Sequence, residues 1–277
     1  MEDPAIGKIF RIGVLGCGAI GSGVAKSIKN DFPSGAKLSG VYDIIPEKMQ
    51  ALCSVLEDSG LKKNTFDELL VHSDIVVETI TSNETRRLIR KIIRAKKSVL
   101  VMSVGHLLNA EDLFAEAERL GVHILIPSGA IAGIDAIKAV SRVGIKEISI
   151  TTRKPPRGLI GAPYISQNKI LLEKIDKETI IFDGTVEEAV KAFPQNINVA
   201  ATIALAANVK DKLRIRIITS PEFQHNRHDI HAIGEFGHIT TVTENRPCPD
   251  NPKTSYLAVL SAVETLRSFF QMKKIGT

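Results

Sequence analysis

The chain of 277 residues is sparing with cysteine, and Cys17, Cys53 and Cys248 are its only three. No two of them stand at a metal-ligand spacing and an odd number cannot pair completely, so neither a disulfide framework nor a cysteine-held metal is expected. A reducing, cytoplasmic setting is. Long hydrophobic runs are also missing. The longest helical apolar stretch, Val199 to Val209, is interrupted by Asn208 and is far too short to span a bilayer, so no membrane partner is expected. The start Met1-Glu-Asp-Pro has no basic segment leading into an apolar core and gives no sign of a secretory signal. Repeats and low-complexity segments are absent. Neither sign of charge dominates: 36 Lys and Arg against 31 Asp and Glu give +5, which slightly favours small anions and does not single out nucleic acid. What remains, 44% hydrophobic and 24% charged residues, is an ordinary composition for one large or two ordinary domains with a sizeable core.

Against that background one stretch stands out. Ile9-Phe-Arg-Ile-Gly-Val-Leu runs as a β-branched and apolar strand, breaks at Gly16, Gly18 and Gly21, and continues as Ser22-Gly-Val-Ala-Lys-Ser-Ile28. The order is strand, tight turn, helix. Gly16 permits the turn, Gly18 lets the backbone approach a pyrophosphate, and Gly21 lets the helix lie close on the strand. The free amides at the helix start, around Ala19 and Ile20, then face the phosphates. A second strand, Lys37 to Asp43, ends in a carboxylate 22 residues past Gly21, placed to bind a ribose diol and to repel a 2′-phosphate. NAD is the expected cofactor, with NADP not shut out.

Helical and apolar segments then alternate. Helices are expected at Pro46 to Leu56, Phe66 to Leu70, Glu84 to Ala95 and Ala110 to Leu120, and strands at Asp74 to Thr79, Ser98 to Met102 and Val122 to Ile126. Such alternation predicts a parallel sheet covered on both faces, a doubly wound Rossmann α/β domain with six strands by about residue 127. Ligands of such sheets bind at the carboxyl ends of strands, here Thr79 to Asn83, Ser103 to His106 and Pro127 to Gly133. Seven cations between Arg86 and Lys97 interleave with Leu88, Ile89, Ile92 and Ile93. That pattern is a crossover helix with a solvated basic face; with no aromatic interleaving, nucleic acid is set aside.

Beyond Gly133 the texture changes to that of a smaller mixed α/β domain. Ile134 to Arg142 reads as helix, Glu147 to Thr152 as strand, and Lys154-Pro-Pro-Arg-Gly158 as the strand's end, followed by a loop-rich section to about Asn168. Ile180 to Phe182 reads as a strand, Thr185 to Ala192 as a helix capped by Thr185, Arg214 to Thr219 and Glu235 to Val242 as strands, and Thr254 to Met272 as an amphipathic helix. The predicted division is residues 1–128 for the dinucleotide, 129–252 for substrate, catalysis and oligomerisation, and a helix at about 253–273 packing back on the first domain.

His225-Asn-Arg-His-Asp-Ile-His231 offers three histidines. Zinc is disfavoured, because no cysteine or carboxylate stands at a recognised ligand spacing, and no metal is expected. One histidine as acid or base suits proton transfer near neutrality, and spacing alone leaves open that all three are surface or strand-edge residues. Asn196 and Asn198 precede an alanine-rich helix, where Asn198 serves either as an N-cap or as an amide that holds a carboxamide such as that of nicotinamide.

The combination of Gly16-Cys-Gly-Ala-Ile-Gly21, Met102-Ser-Val-Gly105, Ser128 to Asp135, Thr152-Arg-Lys-Pro-Pro156, Phe193 to Ala200, Asn226-Arg-His228 with Gly234-Glu-Phe-Gly237, and Asn251 to Ser255 resembles the L-aspartate dehydrogenases. The match spans nearly the whole chain in order. The resemblance implies NAD(P)-dependent oxidation of L-aspartate to iminosuccinate, which yields oxaloacetate and ammonia or feeds NAD biosynthesis. It also implies a homodimer, with His228 as the catalytic histidine and with Ala132 and Asn198 contacting the cofactor beyond the glycine loop. Lys138, Arg153 and Lys154 are candidates for the two substrate carboxylates. His106 departs from the small residue expected after Met102-Ser-Val-Gly105. Another dehydrogenase or reductase of an aspartate-derived substrate, related to homoserine dehydrogenase or dihydrodipicolinate reductase, and an NAD-sensing module without catalysis remain as alternatives.

Overall fold

In a computed structural model of the chain the structure describes residues 9–32, 35–194, 197–248, 251–273 and 275–276, of which 251–253 by backbone alone. Contacts divide them into two units: residues up to Pro127 with 259–273 form one, and Ser128–Ala258 with 275–276 form the other.

The first unit alternates strand and helix: β1 (Phe10–Leu15), α1 (Ala19–Asp31), β2 (Ala36–Tyr42), α2 (Pro46–Val55), α3 (Phe66–Val71), β3 (Ile75–Glu78), α4 (Thr85–Arg94), β4 (Ser98–Val101), α5 (Glu111–Leu120) and β5 (Ile124–Leu125). All pairings are parallel, in the order β2-β1-β3-β4-β5. Among the described residues the sheet therefore has five strands where six were expected: the five segments read as strands each form one, and no segment was named for a sixth. Its aliphatic strands are covered on both faces: Ile12, Val14, Val76, Val77, Val99 and Leu100 have no exposed surface, each buried side chain contributing about 1.5–3 kcal/mol. Pro46 stands in the first turn of α2 as its fixed φ favours. The basic face of α4 is met by acids: Arg86 and Arg90 by Asp112, Arg94 by Glu116 at 2.7 Å, and Lys91 by Asp67 at 2.6 Å.

The second unit contains α6 (Ile134–Val140), β6 (Ile145–Lys154), α7 (Pro163–Gln167), β7 (Thr179–Thr185), α8 (Val186–Ala192), α9 (Asn198–Ala207), β8 (Leu213–Thr219), β9 (Asn226–Gly234), β10 (Gly237–Asn245), β11 (Pro247–Cys248) and β12 (Asn251–Ser255). The sheet order is β10-β9-β6-β8-β7, with only β6 and β8 parallel. Thr185 caps α8 in a reciprocal box with Glu188. The section expected to be loop-rich up to about Asn168 also holds the short α7, started by Pro163. Glu235 lies in the turn before β10 rather than in the strand, and Thr254 and Ser255 belong to β12, so the last helix, α10 (Tyr256–Phe270), starts later than its apolar spacing suggests. From Val259 onward that helix belongs to the first unit. There Phe270 lies 5.0 Å from Phe10 and 6.1 Å from Phe32, ring centre to ring centre. Among the described residues no helix is long and apolar enough to cross a membrane.

Candidate active site

In the first unit the glycine turn joins β1 to α1 at the point where the strand order reverses, since β2 lies on one side of β1 and β3 on the other. Ligands bind at such crevices. Gly16 has φ +99°, and a Cβ at Gly21 would stand 1.9 Å from the carbonyl oxygen of Gly16; neither position accommodates a side chain. Gly18 is different. It is the N-cap of α1, and a Cβ there would meet nothing within 4 Å. No side chain caps the helix and no acid sits in its first turn, so the amides of Ala19, Ile20 and Gly21 have no intrahelical partner. That donor set fits a pyrophosphate.

Asp43 is buried at the end of β2. One carboxylate oxygen accepts from the Cys17 amide at 2.7 Å and the other from the Ile45 amide at 2.9 Å. The acid thus clamps the glycine turn, and with about four lone-pair sites on the carboxylate it retains capacity for a ribose hydroxyl. The Cys17 thiol beside it is pushed up to about 12 by burial and by the Asp43 charge.

Sequence reasoning passed over Glu78. Fully buried at the carboxyl end of β3, it accepts from the Ile80 amide at 2.9 Å, the Ser103 hydroxyl at 2.8 Å and the Ser103 amide at 3.2 Å. It therefore joins two of the segments at the strand ends, those after β3 and β4. Burial holds its carboxyl up at about 7 against these hydrogen bonds. The available signal was an acid closing the all-apolar run Ile75-Val-Val, which has to be satisfied internally. His106 follows in a short turn of helix, Val104–Leu107, half-buried, with its imidazole held below the usual range by burial and by Arg86.

In the second unit the histidine run forms β9, and strand geometry sends alternate residues to opposite faces. His228 is buried and His231 is exposed on the other side, where it shares the Thr240 hydroxyl with His238. His225 precedes the strand, 3.5 Å from Glu244. The three side chains do not converge on one point.

His228 lies opposite Thr152 of β6 in the ladder, and its Nδ1 is 2.9 Å from the Thr152 hydroxyl. Two residues on, Lys154 shares that face. His228 is 3% exposed and Lys154 8%, so both ionisable groups are withdrawn from water. Burial, then the Lys154 charge, push the imidazole down to about 3, only partly opposed by Asp229. Burial brings the Lys154 ammonium down to about 8. Arg153, between them in sequence, is on the opposite face, where it binds Asp229 and lies 3.8 Å from Glu178. Lys138 is exposed on α6.

Ala132 and Asn198, expected to contact the cofactor, both belong to the second unit, whereas Gly16, Gly18, Ala19, Ile20, Gly21 and Asp43 belong to the first. The loop of Ala132 is tied to β10: the Ala132 carbonyl accepts from Thr241 at 3.3 Å, and the Ala130 carbonyl from Thr243 at 3.1 Å and Asn245 at 2.9 Å. A side chain built at Gly129 would lie 3.7 Å from Val199, so that loop and the start of α9 are neighbours. Asn198 is the first residue of α9 and half-buried. The N-cap is Ile197, which has no side-chain acceptor, so of the two roles the sequence left open for Asn198 capping is not the one it plays. Asn196 lies outside the described residues.

Residues 135–269 match the model of the aspartate dehydrogenase C-terminal family, and residues 16–127 that of the NAD-binding domain of homoserine dehydrogenase. An L-aspartate dehydrogenase of Methanosarcina mazei is 42% identical over 272 residues, covering 97% of this chain and all of the relative. One of Methanococcus maripaludis is 39% identical over 274 residues with the same coverage. Among solved structures, an aspartate dehydrogenase from Thermotoga maritima superposes with a TM-score of 0.74 at 24% identity, covering 96% of this chain and 99% of that one. A scyllo-inositol dehydrogenase from Lactobacillus casei, with bound NAD(H), reaches 0.55 at 16% identity over 97% and 91% of the two chains. These last two speak for the fold, and the near-complete matches at about 40% identity decide the family: the chain belongs to the L-aspartate dehydrogenases.

Proposed function

We infer that the chain catalyses the NAD(P)-dependent oxidative deamination of L-aspartate to iminosuccinate, which water converts to oxaloacetate and ammonia. The observation that carries this reading is a buried imidazole, His228, held at Nδ1 by Thr152 on a sheet that lies within the stretch matching the aspartate dehydrogenase C-terminal family. Bound at the glycine turn, the dinucleotide supplies the two-electron acceptor; the fold supplies orientation and charge. Gly16, Gly18 and Gly21 with the amides of Ala19 and Ile20 would hold the pyrophosphate and Asp43 the adenosine ribose; Ala132 and Asn198 would be the further cofactor contacts that the family resemblance implies. Because Asp43 is an acid and repels a 2′-phosphate, NAD is the preferred form.

Oxidation at Cα requires a neutral substrate amine. His228 takes the ammonium proton at Nε2 while Thr152 fixes the ring through Nδ1, and the same nitrogen later assists the water that attacks the imine. Match to a homoserine dehydrogenase model is confined to residues 16–127, a nucleotide-binding segment that says nothing about the substrate. We extend the reading to a homodimer, as the family implies, and to the cytoplasm, in keeping with three free, buried thiols.

The decisive experiment mixes oxaloacetate, ammonia and NADH or NADPH and follows loss of reduced-cofactor absorbance, with wild type and His228→Ala in parallel. The variant is expected to keep its cofactor affinity and to lose about two to four orders of magnitude in turnover. Equal rates for the two proteins would overturn the role of His228, and no turnover by wild type with either cofactor would overturn the activity.

A further inference from the structure

We propose that Lys154 is the residue that receives a carboxylate of the substrate, and that in doing so it relieves the positive charge facing His228. The proposal rests on the aspartate dehydrogenase reading and adds to it a substrate-binding cation.

The argument begins with strand parity. On β6 the even positions Ile148, Ile150, Thr152 and Lys154 are buried, and the ladder sets Thr152 against His228. Side chains two apart on a strand stand on one face about 7 Å apart along it, and a lysine stem of four carbons covers such a span. The stem is guided: Gly158, in the turn after β6, would place a Cβ 3.6 Å from both Cβ and Cδ of Lys154. At the foot of the stem, the Thr219 hydroxyl donates to the Lys154 carbonyl at 2.7 Å and fixes the backbone. The three cations open to the substrate carboxylates by sequence are thereby separated. Arg153 faces away and is engaged by Asp229, Lys138 is in water, and Lys154 alone shares the buried face of the imidazole.

Chemistry supplies the second half. A buried ammonium beside a buried imidazole depresses the basicity of that imidazole, the wrong direction for a base that has to take a proton from an ammonium. A dicarboxylic amino acid brings a negative charge. Its carboxylate against Lys154 forms a charge-assisted hydrogen bond and offsets the neighbouring positive field, the second cause after burial of the lowered imidazole, so His228 is a better base with an anionic substrate in place. An amine without a carboxylate would lack both the contact and that gain.

The test is Lys154→Met, an apolar replacement of similar length, with Lys154→Gln in reserve should the methionine variant not fold. KM and kcat for aspartate, the inhibition constant of L-alanine and the dissociation constant of NADH are measured in each. Loss of a hydrogen bond to a charged group, about 1.5–3 kcal/mol, predicts a KM for aspartate raised about 10- to 150-fold with NADH affinity unchanged. If L-alanine binding weakens in step, Lys154 holds the carboxylate next to the reacting carbon; if it does not, Lys154 holds the side-chain carboxylate, and either result supports the assignment. An unchanged KM in a variant that still binds NADH overturns it. Absence of aspartate turnover in wild type would instead overturn the activity itself, so the two failures are distinguishable.

Discussion

The hydroxyl of Thr152 and Nδ1 of His228 meet at 2.9 Å across the β6–β9 ladder. Which nitrogen of an imidazole can act as base is set by what the other one binds. A base at Nε2 requires the ring hydrogen on Nδ1, donated to the Thr152 hydroxyl oxygen, and that contact leaves Nε2 as the nitrogen for chemistry. Thr152→Val keeps the shape and removes the hydroxyl. It should lower kcat by about 5- to 30-fold, the equivalent of one buried hydrogen bond, with little change in cofactor affinity. Thr152→Ser should restore most of the loss, and steady-state kinetics on the pair checks both; a valine variant with wild-type kcat would show that the ring needs no such anchor.

The glycine turn separates two demands that the sequence motif runs together. Gly21→Ala forces a methyl to within 1.9 Å of the Gly16 carbonyl oxygen, a backbone atom that has to move, so a loss of roughly 1–3 kcal/mol in stability is expected. Gly18→Ala meets only open space, at φ −74°, which alanine adopts freely. Its melting temperature should stay near that of wild type. The same methyl would occupy the room the pyrophosphate needs, so NADH affinity should fall about tenfold or more. Thermal melts and fluorescence titration of the two variants give opposite patterns if this division holds.

How far the sequence carries the reader depends on whether a residue's role is local. The glycine turn, Pro46 and the Thr185 cap act within a few residues of themselves, and spacing reveals them. Asp43 was visible as a strand-end acid, yet its bonds to the Cys17 and Ile45 amides need the β1–β2 pairing to exist first. His228 could not be told from His225 and His231 by spacing; strand phase tells it apart, because neighbours on β9 face opposite ways. The same phase, set by Ile148 and Ile150, was readable on β6 and extends to Thr152 and Lys154, which separates Lys154 from Arg153. The sixth strand failed for a different reason: five segments alternate with helices before residue 127, those five form the sheet, and the count of six had no segment behind it.

Cys17 stands inside the nucleotide turn, where an exposed thiolate would be a redox liability. It is 6% exposed, and burial together with Asp43 pushes its thiol up to about 12. Thiolate is the reactive form, so at pH 7.5 the folded chain should resist alkylation at Cys17, while denaturant exposes it at once. Peptide mass mapping after a timed iodoacetamide pulse measures this. Rapid stoichiometric labelling of Cys17 in the native chain would contradict the burial described.

Glu78 makes stability depend on pH with a sign that can be worked out. Its folded value, about 7, lies above the ordinary 4.5, because burial disfavours the carboxylate more than Ser103 and Ile80 favour it. Between those two values the folded state binds the proton and the unfolded state does not, so the contribution is fully present below pH 4.5 and is lost as pH rises through 7. At about 1.4 kcal/mol for each pH unit the window amounts to about 3 kcal/mol. His228 acts in an overlapping range with the opposite sign. Its folded value, about 3, lies below 6.5, so the unfolded state takes up the proton first and stability rises with pH up to about 6.5. The two slopes oppose each other between pH 4.5 and 6.5, and above 6.5 Glu78 acts alone, up to its own value near 7. Glu78→Gln has no proton to lose, so urea unfolding of that variant should show the full His228 rise between pH 4.5 and 6.5. Wild type should be flatter over the same interval and should fall slightly between pH 6.5 and 7.5. Parallel curves for the two proteins would mean that Glu78 is ionised throughout, and that the loops after β3 and β4 are held by a carboxylate rather than by an acid.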